Sequence, residues 1–175
     1  IPALDLFPRK LWQKALNNVL SNSSSLLFGY GDTTGNDVFK RAIADYLLQT
    51  RHFVCRPEQL VITAGSTQAL ALTMKVLLTD NKKILVPDPL NYDIQQYLTA
   101  LGGQLSPLDG QGVQTALLQK HLQSPPAFTF VTPSQPFPTG GILSIQRRIQ
   151  LIQFARRTDS WLVEDDYESE FSYQG

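Results

Sequence analysis

The stretch AFTFVTPSQPFPTGGILSIQRRIQLIQFARRTDSWLVED, residues 127–165, decides the fold. It opens and closes on short apolar runs, Ala127 to Thr132 and Ser160 to Asp165, with a helix-forming segment from Ser144 to Arg157 between them. A strand with one wet face alternates apolar and polar residues, and these two runs do not alternate. They predict strands of a sheet that is covered by helices on both faces.

Working outward, Lys83 to Val86 (KILV) is a third run of this kind, with a helix at Asn91 to Leu101 that Gly102-Gly103 ends. Gln59 to Thr63 (QLVIT) reads as a short strand ahead of a helix at Ser66 to Thr79. A weaker strand near Gln104 to Leu108 and a helix near Gln114 to Leu122 follow. Upstream, Leu11 to Leu20 reads as an amphipathic helix broken by the small polar residues Ser21 to Ser25. Asn36 or Asp37 caps the next helix, which runs to about Arg51 on the apolar pairs Val38/Phe39, Ala42/Ile43 and Tyr46/Leu47. The alternation predicts an α/β chain: a three-layer α/β/α domain with a mostly parallel sheet.

The 175 residues carry fifteen basic and fifteen acidic side chains, which removes the electrostatic case for nucleic-acid binding by this segment. No apolar run approaches the roughly 20 residues of a membrane span, and the start, Ile1 to Asp5, has no signal-peptide pattern. The lone cysteine, Cys55, excludes an internal disulfide and is expected as a small, partly buried residue in a cytoplasmic protein.

Four segments carry candidate chemistry. Ala64-Gly65-Ser66-Thr67-Gln68 stands at a helix start, where unpaired N–H groups and the dipole favour an anion. An ordinary turn with Ser66 as N-cap is the plain alternative. Asp88-Pro89-Leu90-Asn91-Tyr92 leaves the KILV strand at the crevice end of a parallel sheet. There Tyr92 either stacks on a flat ring or is simply half buried at a helix start. Thr132 to Gly141 is a loop with three prolines, stiff enough to fix polar groups, or a rigid surface connection. The sharpest is Val163-Glu164-Asp165-Asp166-Tyr167-Glu168-Ser169-Glu170-Phe171: three acids end an apolar strand, where an unpaired carboxylate is expensive to bury. Period-two alternation puts Asp165 and Tyr167 on one face and Glu164 and Asp166 on the other. A protonated pyridine nitrogen would partner the buried carboxylate. A metal is the alternative, though His52 and His121 lie far off, and a solvated acidic turn is the other.

Taken together, these segments resemble the PLP-dependent aminotransferases of fold type I, above all the aminotransferase-like effector domain of MocR-type regulators of the GntR superfamily. The residues that carry the resemblance are Leu6-Phe7-Pro8 with Trp12, Phe28 to Asp32, Ile62 to Leu70, Pro133 to Gly140 and Val163 to Phe171, in that order over nearly the whole chain. Departures are Thr33 in place of the family's proline, Gln135-Pro136 in place of its His-Gln, and Glu168 in place of its aspartate. The resemblance implies that Gly65, Ser66 and Thr67 bind the PLP phosphate and that Tyr92 stacks on the pyridine ring. It implies that Asp165 pairs with the pyridinium nitrogen, that Tyr167 bonds the ring hydroxyl, and that Tyr30 reaches a phosphate or substrate across a dimer interface.

It also implies a division into an N-terminal arm and lead helix, residues 1–35, and the first part of the PLP-binding large domain, residues 36–175. The family's Schiff-base lysine lies in a Ser-Lys pair, and Lys10, Lys14, Lys40, Lys75, Lys82, Lys83 and Lys120 stand in none. The chain is therefore expected to be a piece of a longer protein, by itself inactive, binding PLP weakly and without a covalent bond, with an exposed apolar face. The expected parent is a homodimeric regulator that senses an amine or amino acid through PLP and binds DNA through a separate winged-helix domain. A piece of a true aminotransferase, and an α/β binding module with purely structural acids and glycines, are the other two readings.

Overall fold

The computed structural model describes residues 3–108, 115–134 and 137–167. The chain divides into two compact units, Ile1–Thr63 and Ala64–Gly175.

The first unit holds α1 (Arg9–Asn22) and α2 (Asp37–Arg51). The serines after Leu20 do not stop α1 at once; it runs through Asn22 and ends at Ser23. Asn36 caps α2, its side chain accepting from the Phe39 N–H at 3.1 Å. No residue of α1 is buried, and α2 buries only Lys40 and Ala44. Large apolar side chains such as Leu11, Trp12, Phe28 and Phe39 are exposed. The strand expected at Gln59 to Thr63 is absent: Pro57–Gln59 forms a 3-10 turn, and residues 60–63 pair in no ladder. The Ile62 N–H of that run donates to the Thr34 carbonyl at 2.8 Å. Strand propensity needs a neighbouring strand to become structure, and QLVIT has none.

The second unit is the expected sheet. Its strands β1 (Lys83–Pro87), β2 (Gln104–Leu108), β3 (Phe128–Val131) and β4 (Trp161–Glu164) are all parallel, in the order β2-β1-β3-β4. Helix α3 (Ser66–Leu77) precedes β1, α4 (Tyr92–Ala100) joins β1 to β2, and α5 (Ile145–Thr158) joins β3 to β4. The segment expected as a helix near 114–122 is a 3-10 helix, Thr115–His121; Gln114 lies outside the described residues.

Period two splits the strand residues between two cores. Ile84, Val86, Phe128 and Phe130 pack with Met74 and Leu78 from the α3 side and Leu98 of α4. Leu85 and Val131 pack on the other face with Leu151 and Phe154 of α5. Ile84, Leu85, Phe128 and Phe130 have no exposed surface, which explains why their runs do not alternate. The outer stripe Ile145, Ile149 and Ile152 of α5 stays exposed, as does Trp161 on the edge strand β4.

Candidate cofactor site at the carboxyl end of the sheet

The segments after β1, β3 and β4 leave a parallel sheet at one end, where open α/β folds bind ligands. Helix α3 brings a fourth segment there. Its last turn is followed within a few residues by the start of β1, so α3 runs antiparallel to the strands and its N-terminus lies at their carboxyl end. Gly65–Thr67, Asp88–Tyr92, Thr132–Ser134 and Asp165–Tyr167 thus share one edge of the second unit. Tyr30 belongs to the first unit, where its side chain stands fully in solvent.

The α3 terminus differs from those of α2, α4 and α5. Asn36, Asn91 and Ser144 cap those three with a side-chain oxygen, Asn91 accepting from Asp93 N–H (2.9 Å) and Ile94 N–H (3.3 Å). At α3 the cap position is Gly65, with φ 121° and ψ 174°, which has no side chain to accept from the first turn. The Ser66 cap weighed from the sequence is not formed; Ser66 is the first helical residue. A Cβ on Gly65 would meet no atom within 4 Å, so the space before the helix is open. Ser66 and Thr67 are exposed there. Exposed hydroxyls and an uncapped helix start suit a phosphate.

Asp165 immediately follows β4 and is partly buried, its N–H bonded to the Val131 carbonyl at 2.9 Å. Burial raises the Asp165 carboxyl above its usual range, and the neighbouring Asp166 raises it further. A cation beside Asp165 would reverse both effects, and a protonated pyridine nitrogen is such a cation. Tyr92 opens α4 with its ring 70% exposed, available for stacking, and Tyr167 is 47% exposed. The donors and the open cradle fit PLP. Among the described residues no three His, Cys, Asp or Glu side chains cluster as a metal site, and no helix is long and apolar enough to cross a membrane.

Of three supporting side chains, Tyr97 and Arg148 carry no recognisable sequence signal, while Gln68 lies in the Ala64–Gln68 segment. Tyr97 of α4 donates its hydroxyl to the Thr67 carbonyl at 2.9 Å, fixing the first turn of α3, and Gln68 accepts from the Ala64 N–H at 2.6 Å. Arg148 donates from Nε to the Leu143 carbonyl (2.9 Å) and from Nη2 to the Pro133 carbonyl (3.4 Å). It thereby joins both ends of the proline-rich loop. Within that loop Gln135 and Pro136, and beyond Tyr167 the residues Glu168, Ser169, Glu170 and Phe171, lie outside the described residues.

Residues 4–175 match the family described as aminotransferase class I and II. The chain is 33% identical over 178 residues to the probable rhizopine catabolism regulatory protein MocR of Rhizobium meliloti, covering 99% of this chain and 35% of that protein. It is 34% identical over 171 residues to the uncharacterized HTH-type transcriptional regulator YdeL of Bacillus subtilis, covering 97% of this chain and 36% of that protein. The chain thus spans about a third of the length of these relatives. Among solved structures it is similar to LysN, the α-aminoadipate aminotransferase of Thermus thermophilus complexed with N-(5'-phosphopyridoxyl)-L-leucine. The TM-score is 0.82 at 28% identity, covering 95% of this chain and 42% of that one. Matched over nearly its whole length, this chain belongs to the aminotransferase class I and II family.

Proposed function

We propose that the chain is the first part of the PLP-binding effector domain of a MocR-like transcriptional regulator, which senses an amine or amino acid through the cofactor. The observation that carries the cofactor reading is Asp165, a partly buried carboxylate destabilised by burial and by Asp166 at the ligand end of a parallel sheet. The regulator reading is supported by the names of the relatives at 33% and 34% identity.

When bound, PLP supplies an aldehyde that reacts with amines and a ring that withdraws electrons. In this proposal Asp165 keeps a proton on the ring nitrogen, and Gly65, Ser66 and Thr67 bind the phosphate. Tyr92 stacks on the ring and Tyr167 bonds its hydroxyl. Tyr30 serves the site of a partner subunit in a homodimer, and DNA is bound by a separate winged-helix domain. The likeness to LysN favours a second reading, a piece of an enzyme that converts amino acids to oxo acids.

The test is PLP titration of the intact protein and of Asp165→Asn. A charge-assisted hydrogen bond contributes about 1.5–3 kcal/mol, so the variant should bind PLP roughly 10- to 100-fold more weakly. Equal affinity would overturn the assignment of Asp165. An added amino acid that shifts DNA affinity without turnover favours the regulator; steady production of oxo acid favours the enzyme.

A further inference from the structure

We infer that Lys40 is a positioning residue for Tyr30, acting through the turn Asp32–Gly35. The inference rests on the proposed role of Tyr30 at a partner subunit's site, takes the cofactor phosphate rather than the substrate as its target there, and says what holds Tyr30 in place.

Lys40 is the one charged residue buried among those described, with its side chain 5% exposed. Its ammonium lies 3.0 Å from Asp37 Oδ1 and donates to Thr34 Oγ1 at 2.8 Å. The Thr34 hydroxyl in turn donates to Asp32 Oδ1 at 2.5 Å, and the Thr34 N–H reaches the same oxygen at 2.7 Å. These two bonds, the hydroxyl's first, hold the Asp32 carboxyl below its usual range. The Thr34 carbonyl accepts from the Ile62 N–H (2.8 Å), and the Gly35 N–H donates to the Asp32 carbonyl (3.1 Å). Gly35 has φ 112°, and a Cβ there would lie 2.4 Å from Ile62 Cγ1, so glycine is required both by backbone and by contact. The turn is fixed at each of its ends, and the ammonium fixes its middle.

Among the described residues no hydrogen bond fixes the Tyr30 ring, and the chain just before it is held by the Gly29 N–H donating to the Leu26 carbonyl at 3.2 Å. Tyr30 lies between Gly29 and Gly31 with its ring in solvent, two residues ahead of Asp32. On its downstream side, its direction is set by the anchored turn. Packing alone gives no reason for a lysine at position 40, because burying an ammonium carries a desolvation penalty that an apolar side chain of similar length avoids. What the charge adds is one defined geometry for Thr34 and Asp32.

The test compares dissociation constants for PLP and for pyridoxal, which lacks the phosphate, in the intact protein and its variants. Tyr30→Phe and Lys40→Met should each weaken PLP about tenfold, as for one hydrogen bond to a charged group, and leave pyridoxal unchanged. The double variant should be no weaker than either single one, and Lys40→Arg should recover part of the loss. Thr34→Val, which cuts the same link with a near-isosteric side chain, should reproduce Lys40→Met and serves if that variant does not fold. If Tyr30→Phe leaves PLP binding unchanged, the reading of Tyr30 falls and this inference with it. If Tyr30→Phe weakens PLP but neither Lys40→Met nor Thr34→Val does, the inference alone is overturned. Equal weakening of PLP and pyridoxal by Lys40→Met also overturns it, making Lys40 a packing residue.

Discussion

At the amino end of the sheet, Asn81 donates to the Pro125 carbonyl at 3.0 Å and accepts from the Lys83 N–H at 3.1 Å, while the Lys83 ammonium donates to the Ser124 carbonyl at 2.6 Å. At the carboxyl end, α3 starts on a glycine with no capping side chain, Tyr92 projects into solvent, and burial makes the Asp165 charge unfavourable. The same four strands connect the two ends. One end uses polar side chains to hold main chain in place; the other sets an open helix start, an exposed ring and a carboxylate disfavoured by burial side by side. On the proposed reading, the contrast separates side chains that keep the fold from side chains that serve a ligand.

The contrast breaks most visibly at Gly65. Its φ of 121° and ψ of 174° lie in a region essentially restricted to glycine, and a Cβ there would touch nothing within 4 Å. Gly65→Ala therefore acts through backbone strain, about 1–3 kcal/mol, and not through crowding. Urea unfolding of the chain should show that loss, and the intact protein should bind PLP more weakly because the cradle has moved. A variant matching the parent in both measurements would remove Gly65 from the site. Asn81→Ala should have a smaller effect, about 1 kcal/mol for hydrogen bonds at an exposed position. PLP affinity of the intact protein should not change. A fall in PLP affinity would show that the two ends are not independent.

The layers were legible in the sequence because residues such as Ile84, Leu85, Phe128 and Phe130 are buried on both faces, and unbroken apolar runs are what such burial requires. QLVIT had the same composition and failed, since residue type does not report whether a strand lies alongside; half of the Val61 surface is exposed in consequence. At the site, Gly65 and Asp165 could be picked out because a glycine before a helix and a carboxylate after an apolar strand are unusual for their surroundings. Lys40, Tyr97 and Arg148 could not. They act on turns and carbonyls, which carry no residue-type signature, and Tyr97 reaches across 30 residues to Thr67. Such contacts exist only once the chain has folded.

The subtlest consequence of the contrast concerns Asp165 and pH. Its carboxyl is raised from the ordinary value of 3.8, by burial first and by Asp166 second. Between 3.8 and the higher folded value, the folded chain holds a proton that the unfolded chain has released. Stability contributed at this position therefore falls as pH rises through that window, and the penalty stays constant above it. Asp165→Asn removes the penalty, so the chain without cofactor should gain stability at neutral pH. With Asp165 only partly buried and screened by solvent, the gain is on the order of a few tenths of a kcal/mol. Urea midpoints of parent and variant, compared at about pH 7.5 and about pH 4.5, should differ more at the higher pH. A gain that stays the same at both would assign the effect to packing of the amide. A loss at neutral pH would mean that the carboxylate already has a stabilising partner within the chain, and the case for a cationic ring nitrogen there would lose its physical basis.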